Sequence, residues 1–308
     1  MTETAVMKAG KLSALRPRLL GGEAATGLAL TLPIVVIMGG LVFMPLVSTI
    51  FDSFFRIDPM RSGTPFIGLR NYTSLMVDGD VVASWLNTIF YVVLAVALET
   101  LFGLPMALLL NNVRHGRQWL LAAVVLPWCL PPVVNAIVWM WIYNPSYGLL
   151  NHGLIALGLI DHKVVWFNDR TTGLILITLV HVWRMAPLTA VILLAALQSV
   201  PRELYEAAKL DGAGPVKGFR LITLPLIAGG LAIALTQSTV FAFNLFDEAW
   251  IMGGAGLDTR SVIIQVYLSA FQNMQFSYGM ALSLLAMIAS LLVSVVYVVR
   301  VYRRTEMA

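Results

Sequence analysis

The chain has 308 residues, of which 59% are hydrophobic and only 12% charged, with a formal net charge of +4. Soluble domains carry about 25% charged residues; here the apolar residues gather in long tracts between short polar segments, the pattern of a polytopic membrane protein. The basic residues form short clusters beside these tracts, which excludes a nucleic-acid-binding face. The single cysteine, Cys129, excludes an internal disulfide.

A bilayer crossing needs about 20 apolar residues. Lys8, Lys11, Arg16 and Arg18 form a basic leader. The tract that follows, 24–51, is longer than a signal-peptide core of about 7–15 residues and reads as a retained first span at 28–50. Further spans are expected at 81–110, which contains Glu99, at 119–143, at 171–197, which contains His181 and Arg184, and at 224–246. The last apolar tract, 261–299, exceeds one crossing; its first half, with Gln265, Gln272, Asn273 and Gln275, reads as a peripheral helix and 279–299 as the sixth span. Pro127, Pro131 and Pro132 are expected to kink the third span.

Six spans place both termini on one side. That side carries Lys8, Lys11, Arg16, Arg18, Arg114, Arg117, Arg202, Lys209, Lys217, Arg220, Arg300, Arg303 and Arg304, against Arg56, Arg61, Arg70, Lys163, Arg170 and Arg260 opposite. The positive-inside rule makes it the cytoplasm. The chain then divides into a cytoplasmic N-terminal segment (1–23), one transmembrane domain (24–300) and a cytoplasmic tail (301–308). The loops 52–80 and 145–170 face outward and should hold short amphipathic helices; 113–118 is a tight inner turn, and 198–223 a large inner loop.

The inner loop is locally well specified. Pro201 suits a first helical position, with Arg202, Glu203 and Glu206 in the opening turns. Leu204, Ala207, Ala208 and Leu210 give this short helix its apolar contacts, and Asp211-Gly212 ends it, because glycine tolerates a left-handed cap. Gly214-Pro215 turns the chain, and Phe219 to Leu224 leads into Pro225 at the next span.

Glu206-Ala207-Ala208, Gly212, Ile222 and Leu224-Pro225 resemble the EAA signature of permease subunits of ABC importers, with three residues between Ala208 and Gly212 and nine between Gly212 and Ile222. Further segments are similar to the carbohydrate-type branch of that family, whose members include the maltose and glycerol phosphate permeases. These are Phe66-Ile-Gly-Leu-Arg-Asn-Tyr72, Asn87-Thr88, Gly103-Leu-Pro-Met-Ala-Leu-Leu-Leu-Asn111, Phe246-Asp247 and Tyr278-Gly279. Met252-Gly-Gly-Ala-Gly256 departs from the family's Thr-Gly-Gly-Gly-Pro turn.

The resemblance implies an all-α integral membrane protein of the type I ABC importer fold, in a bacterial cytoplasmic (inner) membrane. Glu203, Glu206, Ala207, Ala208, Asp211, Gly212, Ile222, Leu224 and Pro225 would form the element that engages a separate ATPase. Implied partners are a second, similar permease, two copies of the ATPase, an extracytoplasmic solute-binding protein and the bilayer. ATP and Mg would bind the ATPase. The chain has no Gly-x-x-x-x-Gly-Lys-[Ser/Thr] run, so it is expected to bind no cofactor and to be no enzyme. His115, His152, His162 and His181 are too scattered for a metal site.

Ionisable residues inside a membrane suggest function or a buried partner. Arg184 is either a solute ligand, with Trp183 against a sugar ring, or an internal ion pair with Glu99. Asn135, Trp139 and Tyr143 follow helical spacing and either line a cavity or pack against a partner. Asn87, Gln237, Asn244 and Asp247 are further candidates for the solute path, with a structural role as the alternative for each, and Glu248 is expected at the outer surface. A self-sufficient secondary transporter or channel, an ABC permease for a non-carbohydrate solute, and a membrane-embedded enzyme are the competing readings. The first of these usually shows internal repeats and paired intramembrane acids, and the last lacks clustered catalytic groups.

Overall fold

The computed structural model describes residues 22–113 and 115–305, without side chains at 22–24 and 301–305. The basic leader with Lys8, Lys11, Arg16 and Arg18, together with Arg114, lies outside the described residues, as do the side chains of Arg303 and Arg304. Residues up to Asp52 form one compact unit and those from Ser53 another.

The first unit holds helix α1, Gly22–Met38, which passes through a π-helical turn, Gly39–Phe43, into Met44–Asp52. The turn lies shortly after Pro33 and begins at a glycine pair, sequence features that loosen regular helical pairing.

The second unit is helical among its described residues, with one isolated antiparallel bridge between Phe55 and Phe66. Helix α2 (Arg70–Val77) and helix α3 (Gly79–Asn112) meet at Asp78, whose carboxylate accepts from the Asp80 and Val81 amides at 3.0 and 3.3 Å and so caps α3. Helix α4 (Arg117–Val125), α5 (Pro132–Ile142) and α6 (Leu149–Ala156) follow, then α7 (Arg170–Gln198). The Asp169 carboxylate caps α7, accepting from the Thr172 amide at 2.9 Å and its hydroxyl at 3.1 Å. The Thr172 amide bond leads in holding that carboxyl below the usual range. The short helices expected in both outer loops are α2 and α6.

The third expected span is broken where a kink was expected. Between α4 and α5 the Trp128, Cys129 and Leu130 amides make three-residue turns to Val125, Leu126 and Pro127, and the helix resumes with Asn135 bonding Pro131. Three prolines in six residues remove too many donors for one helix to continue.

Next come α8 (Arg202–Leu210) and α9 (Pro215–Gly218), and then a π-helical turn, Phe219–Thr223, leads through Leu224–Leu226 to α10 (Ala228–Phe243). The fifth expected span stops short: α10 ends at Phe243, and after Asn244–Phe246 the chain enters α11 (Asp247–Gly253). Helix α12 (Val262–Tyr267) continues as a π-helical turn, Leu268–Gln272. It was expected at the periphery, yet Val262, Ile264, Gln265 and Leu268 are buried. Its anchors explain this: the Val262 amide donates to the Thr88 hydroxyl at 2.8 Å and the Ser261 hydroxyl to the Leu245 carbonyl at 2.8 Å. Helix α13 (Phe276–Thr305) closes the chain. Among the described residues five helical segments are long and apolar enough to cross a membrane: Ala25–Asp52, Gly79–Asn112, Arg170–Gln198, Ala228–Gly253 and Phe276–Arg300.

Helices α3 and α7 form the spine of the second unit. Apolar side chains cannot drive association within lipid, so helices meet where small residues allow close approach. A Cβ added at Gly103 would lie 2.7 Å from the Thr189 methyl and 3.2 Å from the Ala190 amide nitrogen. One apolar cluster gathers Tyr91, Ile177, Leu245 and Ile264; another gathers Ala107, Leu193, Leu197 and Ile227. Gly103→Leu should therefore destabilise the detergent-solubilised protein by about 1–3 kcal/mol through overpacking. The measurement is its thermal midpoint, and an unchanged midpoint would contradict the close approach.

Candidate functional site

Two features stand apart from ordinary packing: a polar layer at mid-height of α3 and α7, and the exposed loop that carries α8.

The polar layer separates the two apolar clusters. On α3, Glu99 is 1% exposed. It accepts from the Ser238 hydroxyl of α10 at 2.6 Å and from the Thr189 hydroxyl of α7 at 3.4 Å. The α7 residue His181 stands between two carboxylates, with Nε2 3.5 Å from Glu99 and Nδ1 3.7 Å from Glu248 of α11. One helical turn on, Arg184 donates from Nε to Glu248 Oε1 at 2.9 Å. Four helices thus contribute to one buried network.

Arg184 was expected to pair with Glu99 or to bind solute; its partner is Glu248. Glu248 was expected at the outer surface and is instead 2% exposed. The cause is the break at Asn244–Phe246, which starts a new helix and turns Glu248 inward. Trp183, next to Arg184 in sequence, is half exposed, and its ring packs 6.1 Å from that of Trp139.

The other residues of the expected solute path separate into groups. Asn135 Nδ2 donates to the Val180 carbonyl at 3.4 Å, and the Trp139 ring packs 5.4 Å from Tyr143 and 6.1 Å from Trp183. This row therefore packs α5 against α7. Asn87 is fully engaged elsewhere. Its amide nitrogen donates to the Leu257 and Arg260 carbonyls at 2.9 and 3.0 Å, and its oxygen accepts from Arg170 at 2.8 and 3.2 Å. With the Tyr91 hydroxyl bonded to the Thr259 carbonyl at 2.8 Å, it pins the segment before α12 to α3. Gln237 is half-buried on α10, Asn244 is exposed and bonds the Val240 carbonyl at 2.8 Å, and Asp247 is half-buried at the start of α11. Sequence reasoning missed Glu248, Ser238 and Thr189. The available signal was that Glu99, His181 and Arg184 leave an acid and a base needing partners in apolar surroundings.

The α8 loop has the opposite character. No residue of α8 is buried. Of the residues expected to make apolar contacts, Leu204 and Leu210 are 42% and 90% exposed and Ala207 is exposed; Ala208 is half-buried. Glu203, Glu206 and Asp211 also face outward from the unit. The loop is nevertheless firmly shaped. The Ala213 amide donates to the Ala208 carbonyl at 2.8 Å and the Gly212 amide to Lys209 at 3.1 Å, around Gly212 at φ +76°. That is a left-handed helix end, and glycine avoids the Cβ clash there. The hydroxyls of Tyr205 and Thr223 are 2.9 Å apart and brace α8 against the π-helical turn. Ile222 packs on the cluster of Ala107, Leu193 and Leu197, whereas Leu224 and Pro225 are exposed.

Apolar spans, a buried charge network and a shaped, unburied helix between two spans define a multi-pass helical membrane protein. Residues 99–306 match the family described as binding-protein-dependent transport system inner membrane component, and the chain belongs to that family. It is a membrane component of a transport system and not an enzyme. It is 33% identical over 276 residues to the trehalose/maltose transport system permease protein MalF of Thermococcus litoralis, covering 89% of this chain and 93% of the relative. It is 31% identical over 281 residues to the sulfoquinovosyl glycerol transport system permease protein SmoG of Agrobacterium fabrum, covering 90% of each. A chain in the crystal structure of a bacterial ABC transporter involved in the import of the acidic polysaccharide alginate has the same fold, with a TM-score of 0.77 at 19% identity over 91% of this chain and 96% of that one.

Breaking a buried ion pair leaves one charge uncompensated, which costs about 3–5 kcal/mol, whereas replacing both partners costs far less. Arg184→Met and Glu248→Gln should each destabilise the protein strongly, and the double variant should recover most of the loss. Denaturant unfolding in detergent checks this as a double-mutant cycle; additive losses would contradict the pairing.

Proposed function

We propose that the chain is the transmembrane permease subunit of an ATP-driven importer, moving a carbohydrate-type solute (a sugar, polyol or sugar derivative) across a bacterial cytoplasmic membrane. Family membership supports the import role. The relatives named for trehalose/maltose and for sulfoquinovosyl glycerol support the solute class.

In this reading the chain crosses the membrane six times with both termini in the cytoplasm. The third crossing is built from α4 and α5, whose 9 and 11 residues together rise about 30 Å at 1.5 Å per residue, the depth of the hydrocarbon core. The excess of basic residues around the α8 loop supports its cytoplasmic placement. The chain works beside a second, similar permease and receives solute from an extracytoplasmic binding protein. It takes its power from two copies of an ATPase, which hold the ATP and Mg.

The observation that carries the proposal is α8: a capped, braced helix that leaves Glu206, Ala207 and Leu210 uncovered. A partner ATPase would seat on this face. Because the Gly212 cap and the Tyr205–Thr223 contact make the loop stiff, a displacement of α8 passes through the π-helical turn into α10. Helix α10 carries Ser238 to Glu99 and leads to Glu248, so the stroke would reach the polar layer. Gate residues for the solute would then lie on α7 and α10, around His181, Arg184 and Ser238, rather than at Asn87.

Gly212→Val tests this. A β-branched residue in the left-handed region costs about 1–3 kcal/mol and should reshape the helix end. Solute uptake by cells expressing the whole transporter should fall by about tenfold or more while membrane insertion stays normal. Unchanged uptake would remove α8 as the drive element.

A further inference from the structure

The loop between Asp52 and α3 and the start of α13 line a half-open polar cavity of about 360 Å³, with Arg56, Asp58, Arg61, Arg70, Asp78 and Gln275 among its walls. Its charges do not balance: three guanidiniums face two carboxylates, and both carboxylates already have partners. Asp58 is ion-paired with Arg61 at 3.4 Å and accepts from the Met60 amide at 2.9 Å. Asp78 uses one oxygen to cap α3 and accepts the Tyr278 hydroxyl on the other at 2.7 Å.

Arg56 and Arg70 are therefore left over. Arg56 donates from one terminal nitrogen to the Ser62 carbonyl at 3.2 Å, while its Nε is shielded from solvent and meets no acceptor. Arg70 is exposed where it lines the cavity, and its guanidinium has no protein acceptor among the described residues. An exposed arginine without a partner is ordinary, because water satisfies it. A buried guanidinium N–H without one carries a desolvation penalty that a missing acceptor would relieve. The planar fork of donors fits two oxygens of a carboxylate, phosphate or sulfonate, and a charge-assisted bidentate pair is the strong form of that contact. The volume falls at the small end of ligand sites, which suits one oxyanion group and its immediate carrier.

We infer that this cavity is an oxyanion-binding site, with Arg56 and Arg70 as the principal donors and Arg61 as a rim charge held by Asp58. The inference does not rest on the transport reading, since it concerns binding alone. The polar layer around Arg184 is separate: there the guanidinium has its carboxylate.

The test uses the full chain in a phosphate-free detergent, with inorganic phosphate titrated at constant ionic strength against chloride. Thermal unfolding should show a saturable rise of the midpoint with phosphate. Arg56→Gln and Arg70→Gln should each weaken the half-saturating concentration about tenfold or more, and Arg70→Lys, which keeps charge without the fork, should fall between. Arg202→Gln, on α8, should leave the response unchanged. A parallel titration in nanodiscs containing phosphatidylglycerol identifies the source: loss of the phosphate response there, restored in zwitterionic discs, means a lipid headgroup fills the site, and an undiminished response means a free anion does. No saturable response, or a response in both glutamine variants equal to that of the unsubstituted protein, would overturn the inference. Because the Arg70 side chain is exposed, its variants remain informative if Arg56→Gln fails to fold.

Discussion

Glu248 and Arg184 hold the second unit together in a way that its apolar residues cannot. Within a bilayer, exposed leucines and valines gain nothing by meeting each other, so specificity falls to small-residue contacts and to polar groups that have nowhere else to go. The Glu99–His181–Glu248–Arg184 layer ties α3, α7 and α11 at one level, with Ser238 bringing in α10. Each member would be costly alone; together they define which helix faces which.

In the proposed importer, the same layer gives the α8 loop something to act upon. Helix α8 is stiff but uncovered, and the polar layer is covered but made of contacts that distance alone can break. The 2.6 Å hydrogen bond from Ser238 to Glu99 and the 3.7 Å contact between Glu248 and His181 are sensitive to small sliding of α10 and α11. Packed cores answer such displacements by switching between discrete arrangements rather than deforming smoothly. In the proposed importer this layer is where the motor's stroke would become a change in the solute path.

Local features were legible in the sequence and distant pairings were not. Gly212 and Pro201 bound α8 because caps and starts are set by neighbouring residues; Gly212 ends the helix as its residue type implies, while Pro201, expected at the first helical position, is the extended residue just before it. The prolines at 127, 131 and 132 announced a disturbance, but whether a helix kinks or breaks depends on what satisfies the freed carbonyls. Glu248 was the larger miss. It pairs with a residue 64 positions away, and it is aimed inward by the turn at Asn244–Phe246, where Asn244 and Asp247 read just as well as the polar end of a span. Asn87 shows the same limit: a polar residue near a span end reads as a pathway residue or a structural one, and its partners, the Leu257 and Arg260 carbonyls, lie in a loop whose return to α3 no local pattern encodes.

The central claim is that the uncovered face of α8 receives a separate ATPase. The direct measurement is site-specific cross-linking in the assembled transporter, with Cys129→Ser removing the native thiol and Leu210→Cys placing one on α8. The account predicts a cross-linked product between this chain and the ATPase subunit whose yield changes when nucleotide is added. A Leu210→Cys variant that transports normally yet gives no such product, with or without nucleotide, would contradict it.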